Sequence, residues 1–191
     1  MKLHRFIPAA ASLVILGCDS PTPTDAADFS PRIAMSRGVV SSTSGSGQAQ
    51  LPAGFTLMDF EFNAKLSEDG SAKGEFYEHY ESAGGIVDFR GVVTCVSFDA
   101  ANGRAWVGGV VTHNNSTHPN MLTAIHEVGR DVWFRVVDEG EGNSAADRTT
   151  VYGFTGAVGI TTSAQYCDTQ PWAANNANTW EAVSGNIQVR P

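Results

Sequence analysis

From about Gly54 onward the chain is written in short apolar and polar alternations separated by glycine-bearing turns, and this patterning limits the fold more than any other feature. In "FTLMDFEFNA" (55–64), Phe60, Phe62 and Ala64 share one face while Asp59, Glu61 and Asn63 share the other, the period of a half-buried strand. Asp69-Gly70 then marks a hairpin turn, and "GEFYEHYE" (74–81) reads as the return strand. "IVDFRGVVTCVSFD" (86–99) is a long strand with a bend at Gly91, and Asn102-Gly103 is a type I′ turn candidate leading into "RAWVGGVVTH" (104–113). "DVWFRVVD" (131–138) places Val132, Phe134 and Val136 on one face, and "TTVYGF" (149–154) and "GNIQVRP" (185–191) complete about eight strands. Helical signals are confined to single turns in "HPNMLTAIHEVG" (118–129) and "SAQYC" (163–167). Many short antiparallel strands must close or double up to hide their edges. The expected fold is all-β, a small antiparallel β-barrel of about eight strands, with a two-sheet sandwich as the alternative. Phe60, Phe62, Val93, Val110, Phe134 and Ile187 are the candidate core, and their filling the interior would favour a structural module over a ligand binder.

The N-terminal region has a different texture. Lys2 and Arg5 precede an apolar run from Ile7 to Leu16, too short to cross a bilayer, and Ile15-Leu16-Gly17-Cys18 follows. This stretch resembles the lipobox of bacterial lipoproteins, which implies cleavage before Cys18 and acylation of that cysteine. The resemblance divides the chain into a signal peptide (1–17), a lipidated Cys18 with a flexible linker (18–53), and a β-domain (54–191). Within the linker, "SSTSGSGQAQ" (41–50) has no apolar period and reads as its most flexible part. The expected location is the bacterial cell envelope, with the membrane as a partner through the N-terminal lipid. A plain signal peptide with a chance cysteine is the alternative.

The net charge of −8 becomes −10 once Lys2 and Arg5 leave with the leader. Such a surface repels phosphate backbones and argues against nucleic-acid partners. With Cys18 acylated, Cys95 and Cys167 remain, and one pair in an exported domain points to a disulfide; two buried thiols or a reactive cysteine are the alternatives.

Three groups of residues are candidate sites. Asp138, Glu139, Glu141 and Asp147 bring four carboxylates into one glycine-bearing loop, the donor chemistry calcium prefers, although the spacing is not that of an EF-hand. A solvated acidic loop flanked by Arg135 and Arg148, or a catalytic carboxylate pair, uses the same residues. His113, His118 and His126, with Glu127, offer zinc-type donors at spacings that fit no tight zinc signature; solvated loop histidines and a general base are the other readings. Trp106, Trp133, Trp172 and Trp180, with Tyr77, Tyr80, Tyr152 and Tyr166, suit either a core or a pocket for a sugar or apolar ligand. The chain carries no G-x-S-x-G elbow, H-E-x-x-H, P-loop or dinucleotide fingerprint, and no cofactor beyond calcium is indicated.

Taken together, "GVVTCVSF" (91–98), "NGRAWVGGVVT" (102–112), "FRVVDEGEG" (134–142), "QYC" (165–167) and "GNIQVR" (185–190) resemble a group of bacterial exported β-domains. That resemblance spans Gly54 to Arg190 and implies architecture and export, without an activity or binding site. Three functions follow from the residues: a non-enzymatic envelope lipoprotein binding a ligand or protein partner, a structural or surface-presentation module, and a hydrolase or isomerase on the same scaffold.

Overall fold

The structure, a computed structural model, describes residues 38–141 and 145–190. Cys18 and the leader expected at residues 1–17 therefore lie outside the described residues.

Among the described residues the strands are β1 (Val39–Ala49), β2 (Met58–Ser67), β3 (Ala72–Ser82), β4 (Gly85–Asp99), β5 (Arg104–Asn114), β6 (Asp131–Val137), β7 (Arg148–Thr149), β8 (Gly153–Phe154) and β9 (Trp180–Arg190), with one short α-helix, α1 (Ser163–Thr169). The sheet order is β5-β4-β3-β2-β1-β9-β7-β6-β8, and β5 also pairs with β6. That second pairing closes eight of the nine strands into a ring and leaves β8 as a spur on β6. All pairings are antiparallel, and the closed ring, rather than two facing sheets, hides the strand edges.

The first strand corrects the linker expectation. Residues 41–50 run almost entirely as strand β1, paired along its length with β2 on one side and with β9 on the other. Its small residues answer to packing. A Cβ on Gly45 would sit 2.7 Å from the Phe62 ring, and one on Gly47 would sit 2.0 Å from the Ser184 carbonyl. The ordered domain thus includes about fifteen residues that the sequence assigns to the linker.

Other elements follow their local signals with adjustments. Gly103 takes a positive φ of 59° and closes a 3₁₀ turn, so the β4–β5 connection is not type I′. "TTVYGF" yields only the paired fragments β7 and β8. "SAQYC" becomes α1, with the Thr162 hydroxyl accepting from the Gln165 N–H, and the 118–129 stretch forms two 3₁₀ turns, Pro119–Met121 and Ala124–His126.

The ring is filled by an aromatic core in which Phe134 meets Phe62 at 5.3 Å and Phe76 at 5.8 Å. Phe60, Val93 and Ile187 join it, as expected. Val110 does not. Val107 and Val111 face inward on β5, which leaves Val110 half-buried on the other face. A second, smaller core lies outside the ring, where Trp106, Trp133, Ile160 and Tyr166 pack beneath α1 and the segment before it. The Cys95–Cys167 disulfide ties α1 to β4 across 72 residues, which settles the cysteine question in favour of the bridge.

Candidate functional site

Strand β3 alternates Phe76, Glu78 and Tyr80 into the ring. Two of these are apolar or aromatic, as a core demands; the third is a carboxyl with 1 % of its surface exposed. Its described hydrogen-bond partner is the Tyr152 N–H, 3.0 Å from Oε2 and 3.3 Å from Oε1. Burial without a counter-charge disfavours the ionised form and pushes the Glu78 carboxyl up to about 8, with the Tyr152 N–H pulling weakly the other way. At pH 7 the group is a neutral acid, able to donate a hydrogen bond.

Glu78 opens onto a cavity of about 260 Å³ at the end of the ring where β3 finishes and β4 begins. Tyr80, Val87, Phe89 and Phe154 wall it, and Met121 and Ile125 sit at its rim on the connection between β5 and β6. That connection is tied down. The Asn114 amide donates to the carbonyls of Met121 (2.8 Å) and His126 (3.1 Å), and the Thr117 and His118 N–H groups both donate to Ile86 O at 2.9 Å. His126 is drawn into the wall, its ring 4.3 Å from Phe154 and its Nδ1 2.8 Å from the Thr123 hydroxyl. Desolvation lowers its pKa, so it too is neutral at pH 7. Tyr80 is held in its phenol form by burial and by the nearby Glu78. The cavity is therefore aromatic, uncharged, and furnished with one acid hydroxyl. Glu78 and His126 each bond elsewhere rather than to one another, an arrangement suited to holding a ligand more than to relaying a proton.

The other candidate residues are placed differently. The acidic loop clasps a strand edge. Asp147 accepts from the Ile187 N–H (2.7 Å) and the Glu139 N–H (3.0 Å), while Asp138 accepts from the Val189 N–H (2.9 Å) and the Gly140 N–H (2.8 Å). Glu139 accepts from Asn176 at 3.0 Å, and Glu141 from Asn186 and Gln188, each at 3.3 Å. β7 meets β6 and β9 through only two residue pairs each, so these carboxylates stand in for carbonyl partners along the seam that closes the ring. Among the described residues no group of three His, Cys, Asp or Glu side chains is disposed to hold a metal ion. The calcium expectation at Asp138, Glu139, Glu141 and Asp147 gains no support from this arrangement. The histidines separate likewise: His113 is exposed, His118 receives the Asn120 N–H at the start of a 3₁₀ turn, and only His126 reaches the cavity, while Glu127 is exposed.

Trp106 and Trp133 are buried, as core packing requires, but in the outer core rather than the ring. Trp106 donates to Pro171 O at 2.9 Å, and Trp133 stacks on Tyr166 at 5.7 Å. Tyr77 lies on the outer face with the Arg90 guanidinium 4.8 Å from its ring centre.

Glu78 was missed as a site residue, yet it had a signal. In "GEFYEHYE" it falls in phase with Phe76 and Tyr80, a charged residue in the apolar register. Comparison with protein families, with curated proteins and with solved structures finds no match for this chain.

Proposed function

We propose that this chain is an acyl-anchored cell-envelope protein whose ring binds a small, neutral, largely apolar ligand at one end. The lipobox-like "LVILGC" (13–18) supports the anchor, and the acidic composition supports the absence of nucleic-acid partners. The observation that carries the binding reading is Glu78: a buried carboxyl facing a cavity of about 260 Å³, with a backbone N–H as its partner. Burying such a group costs a few kcal/mol unless hydrogen bonds compensate it, and a ligand acceptor would add one to the bond from the Tyr152 N–H. A neutral acid presents an O–H donor, so the fitting ligand carries a hydrogen-bond acceptor such as a carbonyl on an aromatic or aliphatic frame. A cation would have to ionise Glu78 and bury an ion pair, and an anion would face the negative protein.

The test uses acedan, a neutral naphthyl ketone whose emission shifts to the blue when its carbonyl leaves water. Saturable blue-shifted binding is expected, weakening as pH rises past about 8 and Glu78 ionises. Glu78→Leu removes the donor, and Ile125→Trp fills the rim; each is expected to weaken binding at least tenfold. Non-saturable binding, or binding indifferent to both substitutions, refutes the proposal. The aromatic filling of the ring favours a second reading, a structural module without a small ligand, and that negative outcome selects it.

A further inference from the structure

Four non-glycine residues among those described take left-handed backbone: Val158 (φ 50°), Gln170 (φ 45°), Trp172 (φ 57°) and Asn178 (φ 58°). Gln170 is the residue that ends α1. The other three line one cleft of about 310 Å³ beside α1, which borders the ring-end cavity through Tyr152, Gly153 and Ala157. An asparagine tolerates this conformation; a β-branched valine and a bulky tryptophan adopt it against their preference. Such residues persist only where their surroundings over-determine them, and they gather at ligand clamps.

The surroundings here are explicit. Arg135 on β6 is fully buried, and its guanidinium donates to the backbone carbonyls of Pro171, Trp172, Asn175 and Ala177. Arg104 on β5 adds Ala173 O at 2.7 Å. Two arginines thus grip the carbonyls of one loop and fix Trp172 at the mouth of the cleft. Trp172 and Trp180, both half-buried, present aromatic surface to the cleft, backed by the buried Trp133 and Tyr166, which stack on each other at 22°, while the exposed Asn178 contributes a polar group.

We propose that this cleft is a second binding site, for a neutral sugar: a pyranose ring laid against Trp172 and Trp180 with hydroxyls toward Asn178. Aromatic faces are negative and attract the weakly positive C–H face of such a ring. They would attract an ammonium ion as well, but the Arg135 guanidinium already lies 5.7 Å from the centre of the Trp172 ring and repels a second cation. An anion finds no counter-charge in the cleft, because Arg135 is fully buried behind the loop carbonyls it holds and neither it nor Arg104 lines the cleft. The volume accommodates one pyranose and part of a second.

The experiment titrates the full-length protein, in a detergent without a sugar head group, with cellobiose, maltose, N,N′-diacetylchitobiose and tetramethylammonium, reading tryptophan fluorescence and calorimetry. At least one disaccharide is expected to bind saturably and tetramethylammonium not at all. Trp172→Ala is expected to lower that affinity at least tenfold. Asn178→Gly, which accepts the left-handed backbone and so folds, is expected to lower it about fivefold. Ile125→Trp, at the ring-end cavity, is expected to leave it unchanged, which separates this site from the first. Absence of binding by all three disaccharides, equal binding by Asn178→Gly and the parent, or binding of tetramethylammonium overturns the proposal.

Discussion

Replacing Glu78 by glutamine should change how the stability of this protein depends on pH, by an amount the structure allows one to work out. The carboxyl rises from 4.5 to about 8 on folding. Between those values the unfolded chain releases a proton that the folded protein keeps, so stability falls as pH rises through this window and levels off above it. At about 1.36 kcal/mol per pH unit, the wild type is penalised by roughly 1 kcal/mol at pH 5, about 3 kcal/mol at pH 7 and a little over about 4 kcal/mol at pH 8. The substituted amide has no proton to lose and keeps an oxygen for the Tyr152 N–H. The difference in unfolding free energy between Glu78→Gln and wild type should therefore move in favour of the mutant by about 3 to 4 kcal/mol from pH 5 to pH 8. Urea unfolding with the disulfide intact, followed by far-UV circular dichroism at several pH values, measures this, and all other titrations cancel in the difference. Parallel stability curves for the two proteins across pH 5–8 would show that Glu78 ionises normally, and the neutral-acid cavity would be lost with it.

Three further outcomes follow from other parts of the molecule. Asp147→Ala removes two accepted hydrogen bonds from the seam, and at about 1.5–3 kcal/mol per charged hydrogen bond it should destabilise by about 3 to 6 kcal/mol, whereas adding millimolar calcium to the wild type should leave the urea midpoint unchanged. Reducing Cys95–Cys167 releases a constraint spanning 72 residues and should lower stability by up to ~4 kcal/mol, with a change in tryptophan emission as α1 loosens over Trp106 and Trp133; an unaltered midpoint in reductant would contradict this. Cys18→Ser should abolish cleavage and acylation, so that intact-mass spectrometry finds the precursor with residues 1–17 retained; a processed, lipid-bearing mutant would remove the basis for the anchor.

The site was less legible in the sequence than the fold, for reasons that differ from residue to residue. Glu78 announces itself only through its phase, because alternation says which face a residue occupies and not whether that face meets solvent or a cavity. His126 lies in a stretch without regular period, and long-range ties such as the Asn114 amide, holding two carbonyls of that stretch, bring the imidazole to the cavity wall. The acidic loop read as a metal site because one-dimensional spacing counts carboxylates and does not see the strand N–H groups that engage them. In β1 the sequence misleads outright. Ser, Thr and Gly carry no apolar period, and the strand exists because β2 and β9 offer ladders on both sides and leave room for nothing larger than glycine at position 45.

By itself, then, the sequence determined the all-β class, most strand positions and the two faces of each long strand, since these rest on period-two alternation and turn residues, and its cysteine count pointed to the bridge that the fold closes. Only the tertiary structure decided that the sheet closes through the short seam at β7, that β1 belongs to the ring, and that a second aromatic core forms beneath α1. It also decided which polar residues are buried. Those outcomes depend on contacts between residues tens of positions apart, and local patterning carries no record of distance in space.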